Sequence, residues 1–199
     1  SPSMTQEEVL FSCAPECFLC LLICEQMLSH EIVIVKNVRR SVEYTGFLFT
    51  FRQQGMINDA APMNVLALDA SNQNSFRPNT VVRDLNKAWV GFKRSTEVIS
   101  TGHWGCGAFG GDETFKFLQQ VCVAALLNKK LQYSTFKNEQ FKNDFNLLLQ
   151  RIHEKRKTVG DIFRALVGYS QIDCATSFRN YIFAWVEKQT IVLCISCWY

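Results

Sequence analysis

Residues 101–112 read Thr101-Gly102-His103-Trp104-Gly105-Cys106-Gly107-Ala108-Phe109-Gly110-Gly111-Asp112. A short β-branched run, Glu97-Val98-Ile99-Ser100, precedes this stretch. A helical pattern follows it, with Phe115, Leu118, Val121, Cys122, Ala125 and Leu126 in register. Strand, glycine turn and helix together form an arrangement that holds phosphate groups. Backbone N–H groups and the positive helix end attract an anion, and missing Cβ atoms allow it close. The stretch therefore points to a ligand that carries a diphosphate.

The flanking sequence extends the same alternation. Residues 79–93 predict a helix with Val82, Leu85, Ala88, Trp89 and Phe92 on one face. Residues 131–136 predict a strand, and 138–156 a helix carrying Phe141, Phe145, Leu148, Leu149 and Ile152. Upstream, 32–38 and 65–70 are apolar strand patterns separated by 39–62, which reads as loop because of its Gln, Gly, Asn and Pro. Residues 6–29 predict a helix capped by Thr5 and Glu8, with a break or kink at Pro15. Strands alternating with helices imply an α/β chain with a mostly parallel or mixed sheet, covered on both faces. Ligands then lie at the carboxyl ends of the strands.

The chain has 199 residues, enough for one domain, and no linker divides it. It is 48% apolar and 20% charged, ordinary for a globular protein. A formal charge of +3 is too small to support general nucleic-acid binding. Nine cysteines, an odd number with no visible leader, argue against a disulfide framework and for a reducing compartment. The apolar stretch 189–199 is too short to span a bilayer and reads as a packed strand or sticky end.

Local motifs are ambiguous taken singly. Gln6-Glu7-Glu8 suits the acidic first turn of a helix, or an acid/base and a ligand-binding carboxylate on diverging sides. Cys13, Cys17, Cys20 and Cys24 recur at helical spacing and read as a buried stripe rather than a metal site. Gly105-x-Gly107-x-x-Gly110 matches the dinucleotide fingerprint. However, at least two strands precede it and no acid closes the next strand, Tyr133-Ser134-Thr135-Phe136. A nicotinamide-dependent dehydrogenase is thereby disfavoured.

Together these pieces resemble the poly(ADP-ribose) glycohydrolase family. The resemblance runs from about Gln6 to Gly168. It rests on Gln6-Glu7-Glu8, Glu43-Tyr44-Thr45-Gly46, Asp84-Leu85-Asn86-Lys87-Ala88, the glycine turn, Thr135-Phe136 and Thr158-Val159-Gly160-Asp161. It implies a macrodomain-like three-layer α/β/α fold that lacks its N-terminal part. Residues 1–170 would be a partial catalytic region and 171–199 a divergent apolar segment.

The resemblance also implies hydrolysis of ribose–ribose O-glycosidic bonds in poly(ADP-ribose), or ADP-ribose binding without cleavage. By that resemblance Glu8 is the catalytic acid/base and Glu7 holds ribose hydroxyls. Substrate binding falls to Gln6, Tyr44, Phe47, His103, Gly105, Gly107, Ala108, Phe109, Gly110, Gly111 and Phe136. Within that set the glycines cradle the diphosphate, Phe109 lies along the ribose, and Phe136 with 44–47 flanks the adenine. Phe47 stands where many members carry Tyr, and His103 where Asn is common. The family's run of three glycines, upstream of Gln-Glu-Glu, is not in this sequence. The expected partners are poly(ADP-ribose) and ADP-ribosylated proteins, met by a monomer in nucleus or cytoplasm. No cofactor, metal, direct DNA contact or membrane contact is implied.

Overall fold

A computed structural model describes residues 6–46, 48–71, 76–107, 109–170 and 176–188. Thr5, Phe47, Ala108 and the stretch 189–199 lie outside the described residues. The chain divides into two compact units, with the boundary between Asp69 and Ala70.

In the first unit, helix α1 covers Gln6–Cys13. The break expected at Pro15 within 6–29 is present: α1 ends before Ala14, where the α conformation is disfavoured by the following proline. Ala14 has φ −136° and ψ 75°, and the chain re-enters as a 3₁₀ helix over Pro15–Leu22. The cysteine stripe is split accordingly. Cys13 and Cys17 are buried, whereas Cys20 and Cys24 are partly exposed. Strand β1 (Val33–Val38) pairs antiparallel with β4 (Met63–Ala67), Ile34 facing Leu66 and Val35 facing Val65. Ala14, Cys17, Val38 and Val65 form the core here.

The loop expected over 39–62 is instead largely a hairpin, β2 (Val42–Thr45) with β3 (Arg52–Met56). Its strands are mostly exposed, so polar side chains suffice and the apolar signature of a strand is missing. The hairpin also explains why β1 and β4 run antiparallel. A parallel pair needs a crossover of a dozen residues or more, usually helical, and none intervenes.

The second unit carries the predicted alternation. Helix α2 (Pro78–Arg94) opens with proline at its first position, which needs no N–H partner, and closes on Lys93 and Arg94. Strand β5 (Val98–Thr101) pairs parallel with β6 (Lys130–Tyr133). Between them runs α3 (Glu113–Leu126), buried continuously from Thr114 to Gln120. Burial on every side marks α3 as the central helix of the unit, packed by α2, α5 (Val159–Tyr169) and α6 (Phe178–Glu187).

Helix α4 (Glu139–Glu154) starts at the Asn138 cap, whose Oδ1 accepts from Phe141 N–H at 3.1 Å. The Thr158-Val159-Gly160-Asp161 motif is a capping box that starts α5. Among the described strands the pairing is mixed rather than mostly parallel.

Candidate active site

Three elements of the second unit converge on the glycine turn. β5 delivers the chain into it, and parallel pairing brings the end of β6 alongside, with Ser134 N–H donating to Thr101 O at 2.9 Å. α3 leaves from it, capped by Asp112, whose Oδ1 accepts from Phe115 N–H at 2.8 Å. Burial raises the pKa of Asp112 against those backbone hydrogen bonds. On the strand side, Gln120 of α3 holds Thr101 Oγ1 at 2.6 Å and donates to Gly102 O at 3.1 Å.

The turn is tied at its neck by Gly111 N–H donating to Gly105 O at 3.0 Å. Glycine is required at both positions. Gly105 has φ +74° and a Cβ there would strike the Ala70 methyl; a Cβ on Gly111 would stand 2.8 Å from Gly105 O. Beyond the neck the surroundings change. Among the described residues, a Cβ on Gly107 or Gly110 would meet nothing within 4 Å. The neck is packed and the tip is open, as an anion cradle requires.

His103 sits beside the neck with its side chain mostly buried. Its Nδ1 lies 3.0 Å from Glu113 Oε1, and its ring contacts Tyr133, Phe136 and Phe141 at centroid distances of 5.8, 5.1 and 4.8 Å. His103 Nε2 and the Tyr133 hydroxyl are buried without a hydrogen-bond partner among the described residues. Burial pushes the Tyr133 phenol above its ordinary range. Phe136 follows β6 with φ +51°, half exposed, its ring close over Gly102. Phe109 is likewise half exposed at the tip.

Burial pushes the pKa of the Cys106 thiol up to about 12, and its Sγ donates to Trp104 O at 3.5 Å.

The structure thus gathers His103, Gly105, Gly107, Phe109, Gly110, Gly111 and Phe136 in the second unit. Glu7 and Glu8 belong to the first unit, exposed on α1, which Gln6 begins. Tyr44, also of the first unit, lies on β2 with Arg40 over its ring at 4.8 Å and Phe51 5.5 Å away. Phe47 and Ala108 fall outside the described residues. Sequence reasoning missed Glu113, Tyr133 and Lys116. Lys116 shares its side of α3 with Glu113, Gln119 and Gln120, so no break in an apolar stripe marks it in the sequence.

Comparison with known proteins identifies the family. The family model described as poly(ADP-ribose) glycohydrolase, macro domain fold, matches residues 1–143. The chain is 27% identical over 187 residues to poly(ADP-ribose) glycohydrolase 1 of Caenorhabditis elegans, covering 79% of this chain and 24% of that protein. It is 23% identical over 235 residues to probable poly(ADP-ribose) glycohydrolase 2 of Arabidopsis thaliana, covering 91% and 45%. It is 29% identical over 143 residues to the Arabidopsis poly(ADP-ribose) glycohydrolase 1, covering 71% and 24%. The chain spans less than half the length of each of these relatives. With a family match over most of its length and a glycine turn built between strand and helix, the chain belongs to the poly(ADP-ribose) glycohydrolase family, with its macrodomain fold.

Proposed function

We propose that this chain carries residues for hydrolysing ribose–ribose O-glycosidic bonds in poly(ADP-ribose), releasing ADP-ribose. The observation that carries the proposal is the packed-neck, open-tip glycine turn at the start of α3, in a member of this family. Amides of the turn and the positive end of α3 bind the diphosphate. Phe136 and Phe109, both exposed at that turn, supply aromatic surface for adenine and ribose.

Glu8 is the acid/base of the reaction. Its carboxyl group protonates the departing ribose oxygen as the C1″–O bond breaks and positive charge develops at the anomeric carbon. The resulting carboxylate then takes a proton from the water that attacks that carbon. Glu7 hydrogen-bonds ribose hydroxyls. General acid–base catalysis of this kind contributes about 10²–10⁴-fold in rate.

The test is release of ADP-ribose from purified poly(ADP-ribose) by the chain and by its Glu8→Gln variant. Release that falls by about 10²-fold or more in the variant supports the proposal. Release that Glu8→Gln leaves unchanged removes Glu8 from the mechanism. Polymer bound but not cleaved by the unaltered chain would make it a recognition module.

A further inference from the structure

Lys116 is the fourth residue of α3, and its side chain is wholly buried. Two effects oppose it. A cation near a helix N-terminus is disfavoured by the dipole, and a buried charge is costly unless paired and hydrogen-bonded. Asp84 of α2, equally buried, answers both by meeting Lys116 Nζ through Oδ2. Lys116 Nζ also donates to Ser71 Oγ at 3.2 Å, and Ser71 Oγ donates to Asp84 Oδ2 at 2.5 Å, closing a ring of three groups. Asp84 Oδ1 accepts from Arg83 at 2.8 Å.

The stem of the same lysine lies beneath the glycine turn. Its Cε is 3.5 Å from the position a Cβ would take on Gly105 and 3.4 Å from that on Gly111. These are the two residues whose hydrogen bond ties the neck. Its Nζ lies 5.1 Å from the centroid of the Trp104 ring. One side chain thus supports both sides of the neck and the indole that enters it, and its far end is fixed to a different helix.

A buried ion pair is weak evidence for stability, because an apolar replacement often does as well. Anchoring a functional geometry is the better account of this one. We infer that Lys116 is a positioning residue for the diphosphate cradle. Its ion pair with Asp84 sets the height of the Gly105–Gly111 neck, and so the direction of the open glycines beyond it, without touching the ligand. The inference rests on the reading of the turn as a diphosphate site. It gives a specific signature: the lysine matters for ligands with a diphosphate and not for the nucleoside alone.

The experiment measures binding of ADP-ribose and of adenosine to the chain, to Lys116→Met and to the double variant Asp84→Asn/Lys116→Met. The double variant leaves no buried charge of this pair unmatched. The expected result is an ADP-ribose Kd raised about tenfold in both variants, with adenosine changed less than about twofold. A parallel loss for both ligands, or no loss for either, in folded protein overturns the inference and leaves the diphosphate reading intact. Failure of the unaltered chain to bind ADP-ribose overturns both. Should the lysine variants not fold, Ser71→Ala loosens the same ring more gently. There, an ADP-ribose affinity equal to that of the unaltered chain overturns the inference, and a selective loss of about threefold supports it.

Discussion

His103 Nδ1 and Glu113 Oε1 lie 3.0 Å apart, so the glycine turn is hydrogen-bonded to the first residue of the helix it feeds. The bond fixes which ring nitrogen faces Glu113, while the imidazole ring packs among Tyr133, Phe136 and Phe141. Nε2 is buried without a hydrogen-bond partner among the described residues, and such a group calls for a water or a ligand atom.

If the ligand supplies that atom, Glu113 acts on binding only through the imidazole. His103→Ala is expected to weaken ADP-ribose binding by about tenfold, and Glu113→Ala by less. In the double variant, Glu113→Ala should add nothing to the loss already caused by His103→Ala. Calorimetric titration of the four proteins checks this; independent, additive losses would show that Glu113 contacts the ligand in its own right.

The two faces of the glycine turn should respond oppositely to one methyl group. Gly105→Ala forces a side chain into φ +74° and against Ala70, and is expected to cost about 1–2 kcal/mol or more in stability. In a chain of this size that lowers Tm by about 2–4 °C per kcal/mol. Gly107→Ala meets only open space and should leave Tm within about 1 °C, since surface changes fall within about 0.5 kcal/mol. It should nevertheless weaken ADP-ribose binding, because its methyl group stands where the diphosphate would lie. Thermal unfolding and titration on the same samples separate the two effects.

Two carboxylates set part of the acid response. The hydrogen bonds from Arg179 hold Asp144 below its ordinary pKa, and those from Thr158 do the same for Asp161. A depressed folded-state pKa gives stability that is full above the unfolded value, about 3.9, and is lost as pH falls through the folded one. Arg179→Ala is therefore expected to destabilise at pH 7, and the deficit should shrink below about pH 4. The pair is partly exposed, so the deficit should be about 1 kcal/mol or less. Urea midpoints of both proteins across that range test the sign. A deficit that grows on acidification would contradict it.

What the sequence disclosed, and what it hid, follows from range. α2, β5, the glycine turn, α3 and α4 were legible because each is specified locally, by an apolar stripe, a Pro or Asn start, or glycines without alternatives. The hairpin of β2 and β3 was not. Glu43, Arg52, Gln53 and Gln54 are exposed, so its strands lack the alternation that burial imposes. α5 and α6 went unassigned, though Thr158 with Asp161 and Ser177 with Asn180 N–H are ordinary caps. In the candidate site the glycine turn was readable from its pattern, whereas Phe136 entered only through the family resemblance. The Lys116–Asp84 pair was not, because it joins residues 32 apart on different helices and leaves no spacing signature.

Packing and the candidate site meet at Phe117. Its ring stacks on Phe145 of α4 with centroids 3.8 Å apart and planes 3° from parallel, and Tyr133 of β6 abuts both edge-on. These three elements position the turn: α3 starts at it, β6 leads to Phe136, and α4 brings Phe141 against His103. Phe117→Ala is expected to cost about 3–5 kcal/mol, by lost burial and by the cavity left between Phe145 and Tyr133. That is a large share of the ~5–15 kcal/mol by which domains are stable. Phe163→Ala, on the partly exposed side of α5, should cost much less, about 1 kcal/mol. Denaturant unfolding of both variants tests the contrast. Similar losses would mean that the stack on Phe145 contributes no more than surface packing and does not hold α3, α4 and β6 in register.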